Sequence, residues 1–182
     1  MQKKNRFSTK RLVLDAVFVA LFTVLSLASV RVGGFKLTVA ALPTVLCAAL
    51  YGPVDAALVG LLGAFLEQLL TFGLTPTTAL WILPPALRGL TVGLLAAPLL
   101  RKRRIALFLA ASVACGVLVS CANTAAFYVD AKLFHYYEYH LIFGVFFQRL
   151  LIGAALSLLT ALPVLPLVKA LRRAGLGEVS AP

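Results

Sequence analysis

The sequence predicts an all-α integral membrane protein in which six transmembrane helices form a single domain over residues 1–182. The chain is 62% hydrophobic and 13% charged, and its mean hydropathy is +1.00. Several apolar runs reach the ~18 residues that indicate a bilayer-spanning helix. Despite a net charge of +11, Lys and Arg gather at the ends of these runs, which is typical of membrane topology rather than of nucleic-acid binding. A soluble domain of this size would carry more charge.

Six apolar runs are assigned as spans, at residues 12–30, 37–50, 54–72, 79–100, 105–129 and 141–170. The first run is longer than the apolar part of a cleaved signal peptide, so we expect it to remain as a helix. The second run is too short to cross a hydrocarbon layer of ~30 Å at ~1.5 Å per residue. It is therefore expected to be tilted, extended into Tyr51 or buried among its neighbours.

The distribution of Lys and Arg predicts that both termini are cytoplasmic. With the N-terminus inside, the outer loops hold Arg31, Lys36 and Lys132, and the spans hold Arg88 and Arg149. The remaining twelve of the 17 basic residues lie on the inner side. The outer connections are also the longer ones, so the specific surface is expected to face outward.

Residues 71–89, between the third and fourth spans, carry side chains that an inert membrane helix does not need. Pro84 and Pro85 suit the first turn of a helix, where the missing N–H groups are unsatisfied anyway. The fourth helix is therefore expected to start properly near Pro84. Arg88 would then lie beside the positive end of that helix, as a receptor for a carboxylate or phosphate. Trp81 would mark the membrane–water boundary.

Polar side chains from four spans are expected to meet in the outer half of the membrane. Depth estimates at ~1.5 Å per residue place six of them there: Glu67, Gln68, Arg88, Asn123, Gln148 and Arg149. Such groups usually face an interior or a cavity. Two arginines against one carboxylate leave a positive charge that an anionic ligand would neutralise. In the alternative interpretation, Glu67 pairs with Arg88 or Arg149 and only ties the helices together.

Aromatic residues are frequent near the same level, where Trp81 or Phe127 could pack on a flat heterocycle. The group from Tyr136 to His140 is more typical of an interfacial belt. Neither His135 nor His140 has an acidic cluster beside it, so no metal site and no cofactor are expected. The sequence also lacks a Walker loop and the common hydrolase motifs, which argues against an enzyme.

Small residues recur at intervals of four, a pattern that lets membrane helices approach closely. Intramolecular packing is the favoured interpretation for three of these rows: Gly52/Ala56/Gly60, Gly89/Gly93/Ala97 and Gly153/Ser157/Ala161. The fourth row is Ala16/Ala20.

The order and spacing of several motifs resemble the substrate-specificity (S) components of energy-coupling factor (ECF) vitamin transporters, most closely the folate-type branch. The motifs are Leu-Thr-Val-Ala-Ala-Leu-Pro43, Tyr51-Gly-Pro-Val-Asp, Leu-Thr-Pro-Thr-Thr78 and Leu-Arg88-Gly-Leu-Thr-Val-Gly93. The resemblance implies a six-helix subunit of a bacterial-type plasma membrane that binds a vitamin from outside. It also implies two kinds of protein partner, a transmembrane coupling subunit and two ABC ATPases.

The resemblance also assigns residues. Ala16-Val-Phe-Val-Ala20 matches the family's Ala-x-x-x-Ala docking motif for the coupling subunit, which is why this row is interpreted as a partner site. Two outer loops would close over the ligand, through Arg31, Lys36, Gly73, Thr75, Pro76 and Thr77. The double proline departs from the family pattern, and the ligand contacts of the fifth and sixth helices are not matched residue by residue.

The leading hypothesis is an S component for folate or a related pterin. Its substrate-binding residues would be Glu67, Gln68, Trp81, Arg88, Asn123, Phe127, Gln148 and Arg149. The alternatives are a self-sufficient oligomeric secondary carrier, a membrane scaffold without cargo, and an S component for another vitamin such as cobalamin, pantothenate or a queuosine precursor.

Overall fold

The computed structural model describes residues 9–32 and 35–176, which form seven α-helices and one β-hairpin. The strands are β1 (Val30–Val32) and β2 (Phe35–Leu37). The helices are α1 (Thr9–Leu27), α2 (Ala41–Leu50), α3 (Pro53–Phe72), α4 (Thr78–Thr91), α5 (Ala97–Arg101), α6 (Ile105–Leu133) and α7 (Phe146–Arg173). Two π-helical turns, Val92–Ala96 and His140–Gly144, join α4 to α5 and precede α7.

Four helical segments of the described residues are long and apolar enough to cross a membrane. They are α3, the continuous segment Thr78–Arg101, α6 and α7. Four of the six predicted spans therefore correspond to helices that could cross a membrane, and six spans are not confirmed. α1 carries Lys10, Arg11 and Asp15 within its 19 residues, and α2 has only 10 residues.

The short helix α2 is buried among its neighbours, which confirms one of the three expectations for the second run. Eight of its ten residues, from Pro43 to Leu50, are buried. They form the main hydrophobic core with residues of the surrounding helices, including Val59, Phe108 and Val164. Because α2 lies inside the bundle, its length is not set by the thickness of a bilayer.

The β-hairpin is a short addition to an otherwise helical fold, and it corrects two span boundaries. The first span was drawn to Val30 and the second from Leu37, but these two residues pair with each other in antiparallel register. The segment alternates Val30, Val32, Phe35 and Leu37 with charged Arg31 and Lys36, a period of two that favours strands. Spans drawn from apolar content alone do not show this alternation.

The rows of small residues on α3 and α4 bring the two helix backbones together, as predicted. A Cβ added to Gly89 would overlap the carbonyl of Ala56, and one added to Gly60 would overlap the carbonyl of Pro85. Gly93 lies equally close to Pro53. These contacts leave no room for side chains between the helices.

Helices α6 and α7 pack through a second set of small residues. A Cβ on Gly116 would overlap Ser157, and one on Gly153 would overlap Ser120. Ala161, the next member of the predicted row, is fully buried. Intramolecular packing is thus confirmed for the third row as well.

The fourth helix starts at Thr78, so the expectation of a start near Pro84 is wrong. Pro84 and Pro85 lie inside α4, and Arg88 lies in its last turn rather than beside its N-terminus. Neighbouring helices can compensate for the lost backbone hydrogen bonds in a membrane bundle. Here the backbone of α3 at Gly60 lies directly against the carbonyl of Pro85.

The last two spans also have different bounds from those predicted. α6 continues to Leu133 rather than ending at residue 129. The predicted span from Leu141 is divided, because a π-helical turn occupies His140–Gly144 before α7 begins at Phe146.

Both described ends of the chain lie at the same end of the bundle. Arg11 of α1 forms a salt bridge with Asp55, and its Nη2 donates to the carbonyl of Tyr51 at 3.1 Å. The hydroxyl of Tyr51 in turn donates to the carbonyl of Leu176. The hairpin and the loop between α3 and α4 lie at the opposite end, where the cavity described next is found.

Candidate functional site

A cavity of about 780 Å³ lies between α3, α4, α6 and α7, next to the hairpin. Its volume is within the ~300–1,000 Å³ of small-molecule sites. Seven of the eight residues predicted to bind substrate line it: Glu67, Gln68, Trp81, Arg88, Asn123, Phe127 and Arg149. Three of the predicted loop residues, Lys36, Thr75 and Thr77, line it as well.

Gln148 is the predicted residue that the structure places elsewhere. Its side chain is exposed and does not line the cavity. Arg149, Gly153 and Ser157 follow one another at intervals of four along the face of α7 that lines the cavity and packs on α6. Gln148 is turned about 100° away from that row, which is the physical reason for the error.

The other predicted residues have separate places. Gly73 and Pro76 belong to the loop between α3 and α4 without lining the cavity, and Gly73 ends α3 with a φ of +73°. Arg31 lies in β1, but its side chain is outside the described residues. Ala16 and Ala20 are both exposed on α1.

Arg88 lines the cavity two helical turns along α4 from Trp81, on the side away from the loop between α3 and α4, and this part of the cavity is called its floor. Its Nη1 donates to the hydroxyl of Ser157 at 3.1 Å. In the described part of the chain, no carboxylate forms a salt bridge with Arg88. The floor of the cavity therefore carries a cation whose guanidinium has further donors to offer.

Glu67 pairs with the hairpin rather than with an arginine. Its Oε1 lies 2.9 Å from Nζ of Lys36, and this carboxylate is nearly buried. The same ammonium donates to the hydroxyl of Ser26 at 2.9 Å, so Lys36 is held from α1 and α3 together. The alternative interpretation, in which Glu67 pairs with Arg88 or Arg149, is therefore wrong, and the ion pair links β2 to α3 beside the cavity.

The rings of Trp81 and Phe127 line one side of the cavity, and the Tyr136 ring packs against Phe127 without lining the cavity itself. The ring centroids of Trp81 and Phe127 are 6.3 Å apart, and those of Phe127 and Tyr136 are 6.1 Å apart. The guanidinium carbon of Arg149 lies 4.7 Å from the centre of the Phe127 ring, within the range of a cation–π interaction. A flat heterocycle at this level would meet the Trp81 and Phe127 rings and the positive charge of Arg149.

Asp130 is a site residue that the sequence did not predict. Its side chain lines the cavity, is only 9% exposed, and accepts a hydrogen bond from the hydroxyl of Tyr136. The fifth span was drawn to end one residue before it, which put it in a loop. An acid so close to an apolar run of more than 20 residues was the signal that could have found it.

The remaining aromatic residues of this region are consistent with an interfacial belt. Tyr128, Tyr137 and Tyr139 are exposed, and the rings of Tyr128 and Tyr137 meet edge to face at 5.5 Å. Nζ of Lys132 lies 4.0 Å from the centre of the Tyr137 ring. None of these four side chains lines the cavity.

Comparison with known proteins identifies the family of this chain. A family model described as "ECF-type riboflavin transporter, S component" matches residues 6–173. The chain belongs to this family. An S component whose solved structure is described as "Structure and mechanism of the S component of a bacterial ECF transporter" has the same fold, with a TM-score of 0.63 and 20% identity over 91% of this chain and 99% of that one. A search of curated proteins finds no match.

Family membership confirms the coarser part of the resemblance seen in the sequence. S components of ECF transporters are vitamin-binding transport subunits rather than enzymes, and they work with an ECF module. The long apolar helices of this S component agree with a multi-pass membrane protein. The match is to the riboflavin type, so the folate-type branch is not confirmed.

Proposed function

We propose that this S component captures riboflavin, or a closely related flavin, in the cavity between α3, α4, α6 and α7. The family match over residues 6–173 carries the proposal. The cavity supports it, because its 780 Å³ and its aromatic wall suit a flat tricyclic ring.

In the proposed complex, the ring lies against Trp81 and Phe127, with Arg149 at its edge. Gln68 and Asn123 offer amide groups to the heteroatoms of the ring. The polar tail reaches Arg88, about 10 Å deeper than Trp81 at the rise of an α-helix.

Folate is the second candidate, and the charge of the cavity is the observation that favours it. Three cations, Lys36, Arg88 and Arg149, line the cavity against two carboxylates, Glu67 and Asp130. Arg88 has no carboxylate partner in the described part of the chain. An anionic tail would neutralise that charge and accept bidentate hydrogen bonds, whereas riboflavin would offer only neutral acceptors.

We further propose that the cavity opens to the outside of a bacterial-type plasma membrane and that both termini are cytoplasmic. Twelve of the 17 basic residues belong to segments that this orientation places inside. The S component would then pass its vitamin to a coupling subunit and two ATPases, with the exposed pair Ala16 and Ala20 as the docking surface.

Tryptophan fluorescence tests the proposed ligand directly, because Trp81 is the single tryptophan of the chain and lines the cavity. Purified protein is titrated with riboflavin, folate, pantothenate and cobalamin. Saturable quenching by riboflavin at one equivalent supports the first candidate, and quenching by folate alone supports the second. Quenching by neither removes both.

A further inference from the structure

One face of α6 lines the cavity with polar and aromatic side chains. Asn123, Phe127 and Asp130 follow at intervals of four and three, so they lie on one stripe of the helix, and they line the cavity together with Phe134, the residue after the end of α6. The ring of Phe127 is therefore one turn from a carboxylate. A heterocycle lying against Phe127 would have an edge within reach of Asp130.

The carboxylate of Asp130 has acceptor positions for further hydrogen bonds. It is 9% exposed, and no Lys or Arg of the described residues forms a salt bridge with it. The Tyr136 hydroxyl donates to Oδ2 and fixes the carboxylate. An ionised carboxylate has about four acceptor positions, and leaving the others without a donor in a desolvated site is costly.

Tyr136 is a dependable donor to this carboxylate. Although Tyr136 is exposed, partial desolvation raises its pKa to about 12, and the hydrogen bond and negative charge of Asp130 contribute in the same direction. The phenol therefore keeps its proton at physiological pH and stays oriented towards Oδ2. The free acceptor positions of Asp130 are left for a ligand.

We propose that Asp130 is a specificity-determining residue that accepts a hydrogen bond from a ring N–H of the vitamin. The chemical class it selects is a heterocycle whose N–H lies beside a carbonyl, such as the imide of a flavin or the aminopyrimidinone of a pterin. N-alkylated rings and rings with only acceptors on that edge would be rejected, because they leave the carboxylate unpaired. This inference rests on the proposed function of the cavity.

A cycle of ligand and protein changes tests the role of Asp130. Dissociation constants are measured for riboflavin and N3-methylriboflavin with wild type, Asp130→Ala, Asp130→Asn and Tyr136→Phe. Methylation should weaken binding to the wild type by about 10- to 100-fold, the range for a hydrogen bond to a charged group. In Asp130→Ala the two flavins should bind equally, and in Tyr136→Phe the preference should be reduced.

The matched control is Glu138→Gln, since Glu138 is an exposed acid in the same region; it should keep the full preference. Asp130→Asn conserves shape and reports on folding through its thermal unfolding. If folate is the vitamin that binds, folate and N3-methylfolate replace the two flavins. A methylation penalty that persists in Asp130→Ala overturns the inference while leaving the proposed function intact. A wild type that binds neither vitamin removes both.

Discussion

At the scale of single residues, the site depends on charges placed at different depths of one cavity. Arg88 provides the floor and Arg149 the middle level, while Lys36 and Glu67 join the hairpin to α3. Each of these groups is costly to bury in an apolar bundle without a partner. Changing one of them is therefore expected to affect both ligand binding and stability.

Arg88→Gln is predicted to weaken vitamin binding by about 10- to 100-fold, because hydrogen bonds to a charged group are lost at the floor. Arg88→Lys should recover part of the affinity, since the charge returns without the guanidinium fork. The matched control is Arg173→Gln, at an exposed position near the opposite end. Titration of Trp81 fluorescence measures all three. Equal affinity of Arg88→Gln and wild type would remove Arg88 from the site.

The Lys36–Glu67 ion pair is predicted to slow the escape of the vitamin. Lys36→Met leaves the Glu67 carboxylate buried without its cation, so the apparent melting temperature should fall and the ligand should dissociate several-fold faster. The double variant Lys36→Met/Glu67→Gln should recover most of the lost stability, because no charge is left unpaired. Stopped-flow displacement gives the dissociation rates. A dissociation rate unchanged in Lys36→Met would show that the pair does not hold the hairpin closed.

Much of the residue-level site could be predicted, because depth follows from helical rise. The rise alone placed Glu67, Arg88 and Asn123 together in the outer half of the membrane. It could not decide between the adjacent Gln148 and Arg149, since their directions depend on how α7 packs on α6. Asp130 was missed for a similar reason, because span boundaries drawn from hydropathy are uncertain by a few residues.

At the scale of helices, the close contact between α3 and α4 holds the cavity wall in place. Gly60 and Gly89 allow the backbones to touch at two levels. The glycine rows were visible in the sequence, whereas the continuation of α4 through Pro84 and Pro85 was not. In a single helix, a proline predicts the first turn. A neighbouring helix packed against it can allow a proline inside a helix.

Gly89→Ala is predicted to separate α3 from α4 and to lower stability by at least about 1–3 kcal/mol, the usual cost of overpacking. The new Cβ meets the Ala56 carbonyl, which is backbone and cannot rotate away. Gly144→Ala is the control, since its Cβ would find its nearest neighbour at 3.6 Å. Thermal unfolding in detergent compares the two. Similar melting temperatures for both variants would contradict the packing described for α3 and α4.

At the scale of the whole molecule, the vitamin site and the proposed docking surface are separate. The cavity occupies the end with the hairpin, while Ala16 lies one turn beyond Arg11, which belongs to the end with the chain termini. Hydropathy and charge predicted a multi-pass protein, and the family match agrees with it. Hydropathy alone left three possibilities open for the second run, of which burial inside the bundle is the one observed, and it did not predict the hairpin.

Enlarging the docking surface should therefore separate binding from transport. Ala16→Leu/Ala20→Leu is predicted to abolish uptake by cells that supply a coupling subunit and two ATPases, while the affinity for vitamin stays within about two-fold of wild type. Ala114→Leu, at an exposed alanine of α6, is the matched control and should transport normally. Uptake by the S component without any ATPase, abolished by an uncoupler, would instead support the secondary carrier.

The central claim is that this cavity carries one vitamin. Its most direct test is mass spectrometry of the small molecule extracted from protein purified out of native-like membranes, with Arg88→Gln beside the wild type. The proposed function predicts close to one equivalent of riboflavin, or of folate under the second candidate, in the wild type and much less in the variant. A wild type that carries no vitamin and does not respond to added riboflavin or folate would contradict it.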